Sequence, residues 1–179
     1  MNFFHGRWIA IPLAGFCLLA ALGLVATPAF SETQHPKLSG GWYLLRSPNP
    51  RGGPDAVSVS HTANSSRSDV DLAGLMLRCG EHGATEFVVV VVTPFAPHMQ
   101  PDVFIYANGK QWRFNAEVVP PGAELLLPAD AAILAAGPWQ LTHELEVQVR
   151  SPQQSFGGVV STDGMADALA TLRANCPPG

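Results

Sequence analysis

Val103-Phe104-Ile105-Tyr106, Ala107-Asn108-Gly109-Lys110 and Gln111-Trp112-Arg113-Phe114 follow one another without a gap, and this stretch decides the fold class. The outer two runs are rich in β-branched and aromatic side chains, which pack well on a pleated surface. Asn-Gly between them supplies the positive φ angles of a tight turn, so the stretch predicts an antiparallel β-hairpin. Upstream, Thr93 to Pro101 (TPFAPHMQP) holds three prolines and ends pairing. Before it, Phe87 and five successive valines, Val88 to Val92, predict a strand from Glu86 to Val92. That run is apolar on both faces, as a central strand covered on both sides would be.

The same reading extends outward. Leu72 to Cys79 places Leu75, Leu77 and Cys79 on one face, and Ala56 to His61 alternates Val57, Val59 and His61 with Ser58 and Ser60. Trp42 to Arg46 reads as a first strand. Ser47 to Pro54 and the polar stretch Thr62 to Asp71 read as loops. Downstream, Glu124 to Leu127 and Leu141 to Arg150 read as strands. Pro128 to Ala136 has room for one or two helical turns before Gly137-Pro138. Ser155 to Ser161 is the last strand, and Gly157-Gly158 in it suggests a bulge or a close backbone approach. From Gly164 to Asn175, Met165, Ala168, Leu169, Leu172 and Cys176 fall at helical spacing, with Asp163 as the expected cap. The predicted fold is mainly β: an antiparallel β-sandwich or curved sheet of about eight or nine strands with one C-terminal α-helix.

Residues 1–31 have the order of a secretory signal peptide. A basic residue, Arg7, precedes the apolar run Trp8 to Val25, and small residues follow at 26–31. Cleavage is expected after Ala29 or Ser31. An uncleaved anchor is the alternative, since the run is about long enough to span a bilayer; Pro12 and Pro28 interrupt it. Phe16 before Cys17 does not suit a lipidation signal. The expected organisation is a signal peptide at 1–31, a flexible lead-in at 32–41 and a single β domain at 42–179. The protein is therefore expected in the periplasm or outside the cell of a bacterium.

The formal net charge is −4, which gives no electrostatic reason to bind nucleic acid or an anionic membrane. Beyond residue 31 no second apolar run is long enough to span a bilayer. Beyond the signal two cysteines remain, Cys79 and Cys176, and in an oxidising compartment such a pair forms one disulfide. A redox-active pair would normally sit closer in sequence.

Catalytic patterns are missing. His35, His61, His82, His98 and His143 show no metal-ligand spacing, and no cofactor or metal is expected. His61 on a strand face reads as structural. His143 and Glu144 are adjacent, so on a strand they face opposite ways. No serine sits in Gly-x-Ser-x-Gly, and no Gly-Lys-Ser/Thr follows a glycine pair. Asp69 and Asp71 suggest a weak cation contact or, more simply, a solvated loop. Trp42, Trp112 and Trp139 line either a ligand groove or the core. Trp112, with Arg113 and Tyr106 in the same hairpin, is the candidate surface for a ligand or partner.

Leu75-Met76-Leu77-Arg78-Cys79 resembles the Leu-x-x-Arg-Cys strand of the TagO/VasI-like proteins associated with bacterial type VI secretion. The strand Phe156 to Ser161, then Asp163-Gly164-Met165, Ala168-Leu169, Leu172-Arg173 and Cys176, is similar to that family's ending. Trp42 and the Val57 to Val59 strand also match. Arg51-Gly52-Gly53-Pro54-Asp55 stands where that family carries a short acidic segment, and Pro94, Pro97 and Pro101 set the middle of the chain apart. The helix ending also resembles the invasion-associated locus B family, small periplasmic proteins that usually carry more cysteines. The first resemblance implies a non-enzymatic periplasmic accessory protein acting through an envelope protein partner. The alternatives are a small-ligand or glycan-binding β domain using Trp112, and an envelope hydrolase.

Overall fold

A computed structural model describes residues 35–49, 52–80 and 83–177; the expected signal peptide at 1–31 and its cleavage point lie outside them. The strands are Tyr43–Ser47 (β1), Ala56–Thr62 (β2), Leu72–Cys79 (β3), Thr85–Val91 (β4), Asp102–Ala107 (β5), Lys110–Asn115 (β6), Glu117–Val119 (β7), Glu124–Leu126 (β8), Glu144–Arg150 (β9) and Ser155–Ser161 (β10). The helices are Ala129–Ala135 (α1) and Met165–Asn175 (α2), and 3-10 turns occupy Ser39–Gly41 and Pro138–Leu141.

The strands form two antiparallel sheets, as the alternating apolar pattern demands. One has six strands in the order β1-β2-β3-β4-β8-β7, the other four in the order β10-β9-β5-β6. Asn108 and Gly109, both at positive φ, join β5 to β6 as Asn-Gly requires. One residue in two faces inward. Val57, Val59, Leu75, Leu77, Phe87 and Val89 from the first sheet meet Val103, Ile105, Leu145, Val147 and Val149 from the second in a single core. Met165, Ala168, Leu169 and Leu172 bring α2 into the same core, beside β2 and β3. Central β4 lies between β3 and β8, and Phe87, Val88, Val89 and Val91 on it are all buried.

Several boundaries differ from the sequence reading. Glu117–Val119 forms an extra short strand pairing with β8; three residues carry too little alternation to be read as one. Leu141 belongs to the 3-10 turn that follows Gly137-Pro138, is 84% exposed, and leaves β9 to begin at Glu144. Asp163 does not cap α2: the N-cap is Gly164, at φ 74°, and no side chain bonds the helix start. The Asp163 carbonyl instead accepts a hydrogen bond from the Trp42 indole at 3.0 Å.

Cys79 and Cys176 are bonded, 97 residues apart in sequence, and tie the end of β3 to the end of α2. From the lead-in, Lys37 bridges Tyr43 and the Leu44 N–H donates to the Pro36 carbonyl at 3.0 Å. Among the described residues no helix is long and apolar enough to cross a membrane.

Candidate functional site

β10 is an edge strand, and an open edge presents unpaired backbone groups. Here the loop between β2 and β3 occupies it. The Asn64 N–H donates to the Val159 carbonyl and the Asp69 N–H to the Gly157 carbonyl, both at 2.8 Å. In return the Gly157 N–H donates to Asp69 Oδ2 at 2.8 Å and the Val159 N–H to Ser68 Oγ at 2.9 Å. The loop thus stands in for a fifth strand, using side chains where a strand would use backbone. Gly158 allows this approach, because a Cβ there would lie 2.2 Å from the Ser68 side chain.

The outer face of the four-stranded sheet is a polar grid whose cross-strand rows follow from the register. Gly157, Gln148, Phe104 and Arg113 form one row; Ser155, Arg150, Asp102 and Asn115 form the next. Phe104 lies between two guanidinium groups, Arg150 at 4.7 Å from its ring centroid and Arg113 at 5.8 Å. Arg113 takes both oxygens of Asp102, through Nε at 3.1 Å and Nη2 at 2.8 Å. Asp102 is also the direct cross-strand neighbour of Arg150, yet among the described residues the Arg150 side chain bonds Gln148 Oε1, at 2.7 Å. The same Gln148 oxygen accepts from the Tyr106 hydroxyl at 3.4 Å.

Between this face and the edge loop runs an open groove of 540 Å³, lined among others by Arg67, Asp69, Glu146, Gln148, Arg150 and Gly157. Arg67 forks onto Glu144 with distances of 2.6 and 2.9 Å. The hydrogen bond from Arg67, more than its charge alone, holds the Glu144 carboxyl below its ordinary value, and both groups are solvent-exposed. A depressed carboxyl supports the fold above its unfolded pKa and loses that support as pH falls through the folded value. Exposure keeps the effect small. Arg67→Ala should therefore move the Glu144 titration midpoint upward in a carboxyl-detected NMR titration, with little change in melting temperature.

On the other side of the same loop a cavity of 550 Å³ gathers His61, His143, Glu144, Ser161 and Asp163. These groups are already engaged in other ways. The two nitrogens of His61 lie 2.8 Å from the Thr62 carbonyl and 2.9 Å from the Gly40 carbonyl. Ser161 Oγ accepts from the Asp163 N–H and donates to the His143 carbonyl. The nucleophile-to-base hydrogen bond that acyl transfer requires is not formed among these residues. Asp69 and Asp71 do not converge: Asp71 accepts from the Thr93 hydroxyl, while Asp69 serves the β10 edge. Among the described residues no three histidine, cysteine or acidic side chains form a metal-holding group.

The hairpin residues singled out above are split between two faces. Tyr106 and Arg113 lie on the outer face; Trp112, paired with Ile105, lies on the inner one. Trp112 is half-buried and stands edge to face against fully buried Trp139, with centroids 5.7 Å apart. Phe87 and Phe114 flank Trp139 too, and its indole N–H has no hydrogen-bond partner among the described residues. Trp42 is fully buried as well. The three tryptophans therefore do not line one open groove. Gln148, Arg150 and Ser68, which with Asp69 do form one, were missed, and Asp69 was read only with Asp71. The glycine pair at 157–158 and Asp69 were the traces of this groove in the sequence.

No family model and no curated protein sequence matches this chain. The resemblance to the TagO/VasI-like proteins therefore finds no support. Among solved structures, the chain is similar to invasion associated protein B from Bartonella henselae, at 11% identity and a TM-score of 0.49, over 77% of this chain and 95% of that one. That is the second of the two families named from the sequence. A likeness at this level transfers no function.

Proposed function

We propose that this chain is an exported binding protein that recognises a polar ligand in the groove between β9, β10 and the edge loop, and acts by binding, not catalysis. The observation that carries the reading is the state of Arg150. Its guanidinium lies over the Phe104 ring, 4.7 Å from the centroid, and bonds Gln148, while Asp102, its cross-strand neighbour, is occupied by Arg113. A cation fixed in place and left without a carboxylate, in the wall of a groove, is organised to meet a ligand. The signal-like N-terminus and the disulfide support an extracytoplasmic setting.

A second reading, an accessory protein docked on an envelope protein partner, is favoured by the exposed apolar side chains Ile133 and Leu141, on α1 and the following turn. Fractionating cells that carry a C-terminally tagged chain, with chemical cross-linking, tests both. The binding reading expects the tagged protein in the extracytoplasmic fraction, shortened by its first 29 or 31 residues. Full-length protein confined to the cytoplasm would overturn it. A cross-linked adduct lost on Ile133→Ser with Leu141→Ser would favour the protein-partner reading.

A further inference from the structure

We infer that the ligand class of this groove is an acidic saccharide, a chain of sugar rings bearing carboxylates, read by Arg150. The inference rests on the binding reading above and narrows it to a chemistry. Three observations lead there.

The first is what the groove excludes. An extended peptide would most simply add to a free strand edge, but the β10 edge is already filled by Asn64, Ser68 and Asp69. The groove also lacks the deep apolar pockets that select peptide side chains or lipid tails. Its lining is mostly hydroxyls, amides and charged groups.

The second is what the groove offers. Gly157 stands opposite Gln148 on the outer face, in the wall of the groove. Around that position Ser66, Ser155, Gln148 and Glu146 present hydrogen-bonding groups of both kinds. A sugar ring, with hydroxyls that both donate and accept, satisfies such a set.

The third is charge. Arg67 and Arg150 line the groove with Asp69 and Glu146. Arg67 is held by Glu144, and Asp69 is spent on the Gly157 N–H. Arg150 alone of the two has no carboxylate partner among the described residues, and its planar fork matches one. With the carboxylates of Asp69 and Glu146 also in the lining, this one cation suits a sparsely charged ligand, one carboxylate per ring, and is a poor match for a densely charged polyphosphate.

The test is titration of the mature, disulfide-bonded protein with a hexamer of galacturonic acid and, in parallel, with its methyl ester, followed by two-dimensional amide NMR. The acid hexamer should shift amides within 146–150 and 155–159. Its affinity should fall roughly ten-fold or more on methyl esterification and on Arg150→Gln, the ratio expected for losing one charge-assisted hydrogen bond. Arg150→Lys, which keeps charge but not the fork, should recover part of the loss. If Arg150→Gln does not fold, the ester and a rise in salt carry the same comparison in the wild-type chain.

Equal binding of acid and ester at these amides would overturn the acidic class and leave the groove as a binding site. Failure of the acid hexamer to shift any of these amides would also overturn it. The wider binding reading would then stand or fall on position-specific cross-linking from the groove.

Discussion

Cys79→Ser and Cys176→Ser should each lower the unfolding free energy by about 2–5 kcal/mol, and the double variant should lose little more than either single. The bridge closes a loop of 97 residues, and a closure of that length removes much of the entropy of the unfolded chain. It also fixes α2, which otherwise packs one apolar face of Met165, Ala168, Leu169 and Leu172 on the core and, through Asn175, accepts a hydrogen bond from Arg46 of β1. Domains of this size are stable by only about 5–15 kcal/mol, so the loss is a large share of the total. Urea unfolding of the two singles and the double gives the answer directly. Additive losses would mean that each cysteine contributes alone and that the two are not bonded.

Gly40→Ala should destabilise by about 3 kcal/mol or more, well beyond an ordinary glycine substitution in a turn. At Gly40 φ is 65°, and an added Cβ would lie 1.8 Å from the Asp163 carbonyl oxygen. Facing it, a Cβ on Gly164 would lie 2.4 Å from the Ser39 carbonyl oxygen. Two backbones touch here, and no side-chain rotation can relieve the clash. Separating them would break the Trp42 hydrogen bond to Asp163 and open a fully buried indole. It would also pull the Gly40 carbonyl from His61. Gly52 provides the control: its φ is 79° and nothing lies within 4 Å of its added Cβ. Gly52→Ala should therefore show only the backbone penalty of a left-handed residue, about 1–2 kcal/mol. Thermal melts of the two variants separate close approach from intrinsic strain; equal losses would remove the Gly40–Asp163 contact from the account.

The β-sandwich was legible because its signals are local. Asn108-Gly109 determines its own hairpin, the valine run declares a central strand, and the spacing of Met165 to Leu172 declares a helix face. The disulfide followed from there being only two cysteines after residue 31. The site was less legible because it depends on pairings between distant segments. Nothing near Ser68 or Asp69 announces that they will complete the edge of a strand about ninety residues later. Nor does Arg150 carry a sign that Arg113 will take Asp102 from it. The grouping of Trp112 with Arg113 divides for a reason that was local: neighbours in a strand point to opposite faces. Trp112 and Arg113 could not share a surface, and Phe114 beside them, on the core side, shows which face the indole took.

Placing a photo-activatable amino acid at Ser155, exposed in the groove wall, and at Asp167, exposed on α2, tests the location of binding most directly. After irradiation in the native host, the account predicts a covalent adduct from position 155 and none from position 167. No adduct from 155, or equal adducts from both, would contradict a ligand site between β9, β10 and the edge loop.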